Sequence, residues 1–137
     1  MQITPYLMFN GNCAEAFKFY EKVLRGKIVM SMTHGDSPAA EHVPAEMQDK
    51  VIHVRLVAGG AVLMGSDSPP EYYAKPQGQY VSLIVDSAEE AERIYEAFSE
   101  GAAVTMPLEE TFWALRFAML TDKFGSKWMI NCEKPMQ

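Results

Sequence analysis

The sequence has only two cysteines, Cys13 and Cys132, without CxxC spacing and without histidines beside them. That pattern excludes a disulfide framework and a thiolate zinc site, leaving two small buried hydrophobes in a reducing compartment. Basic residues are also scarce. The 12 lysines and arginines stand against 18 acids, so no basic patch is available for a phosphate backbone, and no nucleic-acid partner is expected. No apolar run approaches the roughly 20 residues of a membrane helix, so no membrane partner is expected either. The opening MQITPYLMF shows no basic leader and no small-residue cleavage site, and the expected location is cytoplasmic.

What is present is enough for one ordinary domain, since 137 residues can bury a core without staples. Residues 3–9 read as a strand closed by Asn10-Gly11. Asn12 with Glu15 forms a capping-box pattern. Cys13, Ala16, Phe17, Tyr20, Val23 and Leu24 then follow at helical spacing up to a stop at Gly26. Residues 27–33 return to strand, and residues 34–50, rich in turn formers and acids, read as a long loop or lid. Residues 51–57 and 61–66 form a hairpin around Gly59-Gly60.

After a connector at 68–78 the pattern begins again. A strand at 80–85 leads to a second capping box, Ser87 with Glu90, and to a helix carrying Ala91, Ile94, Tyr95 and Phe98 that ends at Gly101. A short strand at 103–106, a loop at 107–111 and a hairpin around Asp122-Lys123-Phe124-Gly125 complete the set. Tyr20-Glu21 with Gly26 recurs as Tyr95-Glu96 with Gly101, and the stretch from Gly60 to Met64 echoes that from Gly125 to Met129. The expected fold class is therefore α+β, one domain over residues 1–137 made of two β-α-β-β-β modules at 1–67 and 79–137.

A duplicated β-α-β-β-β unit with the Phe19-Tyr20 pair and a final hairpin of the form Asp-x-x-Gly-x-x-hydrophobic resembles the vicinal oxygen chelate superfamily. That superfamily includes glyoxalase I, extradiol dioxygenases and bleomycin-resistance proteins. PYLMFNGNCAEAFKFYEKVL, the ETFWA segment at 110–114 and TDKFGSKWMIN at 121–131 look like its PhnB-like branch, whose members often carry a 3-demethylubiquinone methyltransferase label. The resemblance implies curved mixed sheets forming an incomplete barrel around a pocket, helices on the outside, and a homodimer. It also implies four divalent-metal ligands, carried over here onto Pro5, Met64, Tyr80 and Met129. None of these is a histidine or a carboxylate, so no metal and no cofactor are expected. The methyltransferase label has no support either, because Gly59-Gly60 joins two strands and no helix follows to cradle a nucleotide-like cofactor.

Strand parity supplies the remaining site candidates. Arg55 falls opposite Met64, and His53 opposite Ser66. A four-residue turn at 122–125 would set Ala118 against Met129 and Arg116 against Asn131. The inward set becomes His53, Arg55, Tyr80, Ser82, Arg116 and Asn131, lined by Leu7, Phe9, Val62, Met64 and Met129, with Trp113 at the rim beside Phe112 and Trp128 turned outward into the core. Two arginines in an apolar cavity suit a small anion; the competing reading pairs them with acids at a dimer surface. His53 is either a hydrogen-bonded structural residue or an acid–base group, Trp113 either a stacking rim or filler, and His34 and His42 belong to a solvated loop. The functions in contention are a metal-independent binder of a small anionic or aromatic molecule, a glyoxalase-type lyase or isomerase or dioxygenase-like enzyme with unusual ligands, and a protein acting through its dimer surface.

Overall fold

The computed structural model describes residues 1–135. The chain divides into two compact units, Met1–Ala74 and Lys75–Gln137, with the boundary inside the expected connector. Each unit is a four-stranded mixed sheet with one helix, and the strand orders are the same: β1-β4-β3-β2 in the first and β5-β8-β7-β6 in the second. Both modules are thus β-α-β-β-β, and neither sheet closes into a barrel.

In the first unit β1 (Tyr6–Phe9) runs parallel to β4 (Ala61–Asp67), β4 is antiparallel to β3 (Val51–Ala58), and β3 is antiparallel to β2 (Lys27–Thr33). Helix α1 (Cys13–Val23) covers one face with Cys13, Ala16, Phe17, Tyr20 and Val23, all buried as their spacing requires. Phe17 packs edge-on against Phe9 and Tyr20, at centroid distances of 6.0 and 5.5 Å. Burial of each such side chain contributes about 1.5–3 kcal/mol. Gly65 makes the close approach possible, because a Cβ there would lie 2.6 Å from the Phe17 ring.

Both ends of α1 differ from the local signals. Asn12 makes no side-chain capping bond. The cap comes from Asp67, 2% exposed at the end of β4, whose Oδ1 accepts from the backbone N–H groups of Gly11 and Cys13 at 2.9 and 3.0 Å. A buried carboxylate offers a stronger acceptor than a local amide, so the tertiary partner displaces the capping box. At the other end Arg25, at φ 53°, takes the left-handed position expected of Gly26. Gly26 is required for a different reason: a Cβ there would lie 2.6 Å from the Val57 carbonyl.

Residues 34–50 are tied down rather than open. His34 and Gly35 donate their N–H groups to the carbonyls of Lys50 and Gln48, both at 2.8 Å. Two 3₁₀ turns, Ala40–His42 and Ala45–Met47, bring Met47 into the core.

The second unit follows the same plan with β5 (Val81–Ile84), α2 (Ala88–Ser99), β6 (Ala103–Glu109), β7 (Ala114–Thr121) and β8 (Lys127–Glu133). Here the expected cap forms, with Ser87 Oγ accepting from Glu90 N at 3.1 Å, and Gly101 adopts φ 72°. Strand β6 runs through Pro107, and its pairing with β7 is broken by two irregularities that relieve the ladder. Trp128 is fully buried against Phe98, with centroids 4.8 Å apart.

The hairpin turn is one residue longer than expected. Pairing resumes at Thr121 with Lys127, so residues 122–126 form the turn. Asp122 holds it: Oδ1 accepts from Phe124 N and Ser126 N, both at 2.9 Å, and Oδ2 from the Trp128 indole at 2.9 Å. The extra residue shifts the register by one, setting Met119 opposite Met129, Phe117 opposite Asn131 and Arg116 opposite Cys132.

Candidate functional site

Each sheet has one face packed on its helix and one face turned away. In the first unit the second face is read directly from the register. Tyr6 neighbours Met64, Met64 lies opposite Arg55, and Arg55 lies opposite Met30, so these four side chains form a row across the sheet. The neighbouring row holds Met8 beside Ser66, and His53 opposite Met32. Leu7 and Phe9, expected on this face, belong to the other one: Leu7 neighbours Gly65 under the Phe17 ring, and Phe9 is 1% exposed against α1.

Tyr6 and His53 form the polar centre of this face. The Tyr6 hydroxyl and His53 Nδ1 are 2.9 Å apart, and the rings stack with centroids at 5.6 Å. Which atom donates depends on the imidazole tautomer. Arg55, half-buried, has no ion-pair partner among the described residues. The face therefore presents an uncompensated guanidinium and a phenol–imidazole pair set among thioethers.

The corresponding face of the second unit carries the row Met106, Met119, Met129 and Ser82. Asn131 lies between Ile84 and Phe117, and its Oδ1 is buried with no hydrogen-bond partner among the described residues. The Tyr80 ring sits under the Lys127 ammonium at 5.3 Å. Trp113 is 40% exposed and packs edge-on to Phe117 at 5.2 Å. Arg116 is displaced from the expected set. Its register partner is the buried Cys132, and its Nε donates to Glu92 on α2 at 3.1 Å, which puts it on the helix side. The acid partner anticipated at a dimer surface lies within its own unit.

The residues at the inherited positions of each unit, taken by itself, do not suit a hard divalent ion. Among the described residues no three His, Cys, Asp or Glu side chains converge. The register also refines the positions inherited from the resemblance. Tyr6, not Pro5, stands beside Met64, while Pro5 contributes a carbonyl to Met64 N at 3.1 Å; Ser82, rather than Tyr80, stands beside Met129. A phenol with a thioether in the first unit, and a hydroxyl with a thioether in the second, offer neither the charge nor the carboxylate or imidazole ligands that Mg²⁺, Mn²⁺ or Zn²⁺ takes.

Three residues were missed by sequence reasoning. Tyr6 could have been found by pairing β1 with β4 before assigning parity. Asp122 had a signal in its Asp-x-x-Gly turn. Asp67 had none, since its third donor, Val51 N at 3.0 Å, comes from another loop end. The Asp67 carboxylate also acts on Cys13, whose thiol is pushed well above its usual range, chiefly by burial and further by that negative neighbour.

Comparison with known proteins agrees with this architecture. A Pseudomonas aeruginosa protein of solved structure, PA1353, is 50% identical over 98% of this chain and 99% of its own, with a TM-score of 0.90. A Bacillus cereus PhnB protein, named as a 3-demethylubiquinone-9 3-methyltransferase, is 25% identical over 96% and 99% of the two chains, with a TM-score of 0.81. Protein YjdN of Escherichia coli K12 is 33% identical over 98% of this chain and 97% of its own length. Residues 2–130 match the superfamily's sequence pattern, and the chain belongs to the Glyoxalase/Bleomycin resistance protein/Dioxygenase superfamily.

Proposed function

We propose that the protein binds a small anionic molecule with an aromatic or apolar body, without a metal or cofactor, on the Tyr6–Met64–Arg55 face of the first sheet. One observation carries this reading: Arg55 is half-buried among thioethers with no carboxylate paired to it among the described residues. A guanidinium in that setting gains most by meeting a carboxylate, phosphate or sulfonate. The Tyr6–His53 pair supplies hydrogen bonds beside it, and Met64 gives a soft apolar contact for a ring. Action as a homodimer and a cytoplasmic location complete the reading; the first rests on the superfamily, the second on the reduced-cysteine composition.

The test uses 2-naphthoate and its neutral analogue 2-naphthamide, titrated by calorimetry with and without EDTA. A charge-assisted hydrogen bond contributes about 1.5–3 kcal/mol, so Arg55→Gln is expected to weaken naphthoate roughly 10- to 100-fold while leaving the amide unaffected. Equal affinity of carboxylate and amide, or dependence on a divalent ion, would refute the reading.

The 2.9 Å contact between Tyr6 Oη and His53 Nδ1 favours a second reading, a metal-free isomerase or lyase with this pair as acid and base. Under it, His53→Gln abolishes turnover while ligand affinity persists. An unchanged rate in that variant would exclude it.

A further inference from the structure

Met30 is the cross-strand neighbour of Arg55, on the side opposite Met64, and it is 39% exposed. Its position follows from the irregularity between Ile28 and Met30, which sets Met30 directly against Arg55. Directly paired residues on one face have Cβ atoms about 4.5–5.5 Å apart, which puts the ends of two long side chains within reach of each other. The thioether is apolar and leaves the guanidinium free for an anion. Its sulfoxide would be a strong hydrogen-bond acceptor held within reach of the same N–H donors.

We infer that Met30 is a peroxide-responsive switch: oxidation to the sulfoxide gives Arg55 an internal acceptor and closes the anion site. The inference rests on the binding role of Arg55 proposed above and adds its regulation. Chemically, a sulfur lone pair attacks one peroxide oxygen, the O–O bond breaks, and an S–O bond forms. The thioether is oxidised by two electrons, and hydrogen peroxide is reduced to water. Reversal requires a dithiol, which methionine sulfoxide reductases oxidise to a disulfide while releasing water. Exposure selects the residue, because Met64 on the other side of Arg55 is half-buried whereas Met30 is exposed. Met8 on the same face is 42% exposed, but its strand neighbour is Ser66, whose hydroxyl already donates to the Met8 sulfur at 3.5 Å. It therefore serves as a control that oxidises without reaching Arg55.

The experiment treats the full chain with graded hydrogen peroxide, maps sulfoxides by peptide mass spectrometry and titrates 2-naphthoate at each stage. Met30 and Met8 are expected to oxidise well before the half-buried Met119 and Met129. Naphthoate affinity should fall about tenfold, the scale of one charge-assisted hydrogen bond lost to competition, in step with Met30 occupancy, and recover with methionine sulfoxide reductase and dithiothreitol. In Met30→Leu the ratio of affinities before and after peroxide should stay near one, while in Met8→Leu it should fall as in the parent chain. Met30 oxidising no faster than Met119, or unchanged affinity with Met30 fully oxidised, overturns the switch alone. Absence of naphthoate binding before any peroxide overturns the anion site itself, and the switch with it.

Discussion

Replacing Asp67 by alanine separates the tertiary cap of α1 from any local one. The carboxylate is 2% exposed and accepts three backbone N–H groups, from Gly11, Cys13 and Val51 at 2.9, 3.0 and 3.0 Å. It thereby fastens the start of α1 and the return of residues 34–50 to the end of β4. Alanine leaves three donors unmatched, each costing about 1–3 kcal/mol when buried. Water entering the vacated space offsets part of this, so the net loss is about 3–5 kcal/mol, a large share of the roughly 5–15 kcal/mol by which domains are stable. With a urea m value of about 1.5–2 kcal/mol per molar, the unfolding midpoint should fall by about 2 M. Hydrogen exchange should show the Gly11, Cys13 and Val51 amides losing protection first. Asp67→Asn retains the shape but turns an NH₂ group toward one of the three donors, so it should recover no more than about half of the loss. A midpoint shift below about 0.5 M for the alanine variant, with m unchanged, would refute the cap.

Three further outcomes follow from the structure. Ser87→Ala removes the bond to Glu90 N and should cost α2 about 1 kcal/mol, whereas Asn12→Ala should cost under about 0.5 kcal/mol; equal costs in urea unfolding would contradict the caps described. Neither buried cysteine should react with an aromatic disulfide reagent at pH 8 in the folded protein, and both should react in urea. Because the Cys13 thiol is raised in the folded state, that state holds its proton where the unfolded chain has lost it, so stability should decline above about pH 9. A Cys13 that labels rapidly at neutral pH without unfolding would count against its burial.

The sequence determined the architecture by itself because its signals were local and repeated. Two helices with apolar stripes, two hairpins with glycine or Asp-x-x-Gly turns and the echo between halves leave one economical arrangement, and both units adopt it. The Arg55–Met64 pairing was equally legible, since Gly59-Gly60 permits a two-residue turn. The face of Arg116 was not legible. One extra turn residue, held by Asp122 and Trp128, reverses the side of residues 116–121 in β7, and no local propensity distinguishes a turn of four residues from one of five.

Contacts made at long range were decided only by the tertiary structure. Asp67 displaces the Asn12 cap because folding brings a buried carboxylate to donors far along the chain. The parallel pairing of β1 with β4 brings Tyr6 to His53 and makes a phenol–imidazole pair from residues 47 positions apart. Side-chain type and spacing specify what each element buries. Register and loop closure specify which side chains meet, and those depend on energies summed over the whole unit rather than over neighbours in sequence.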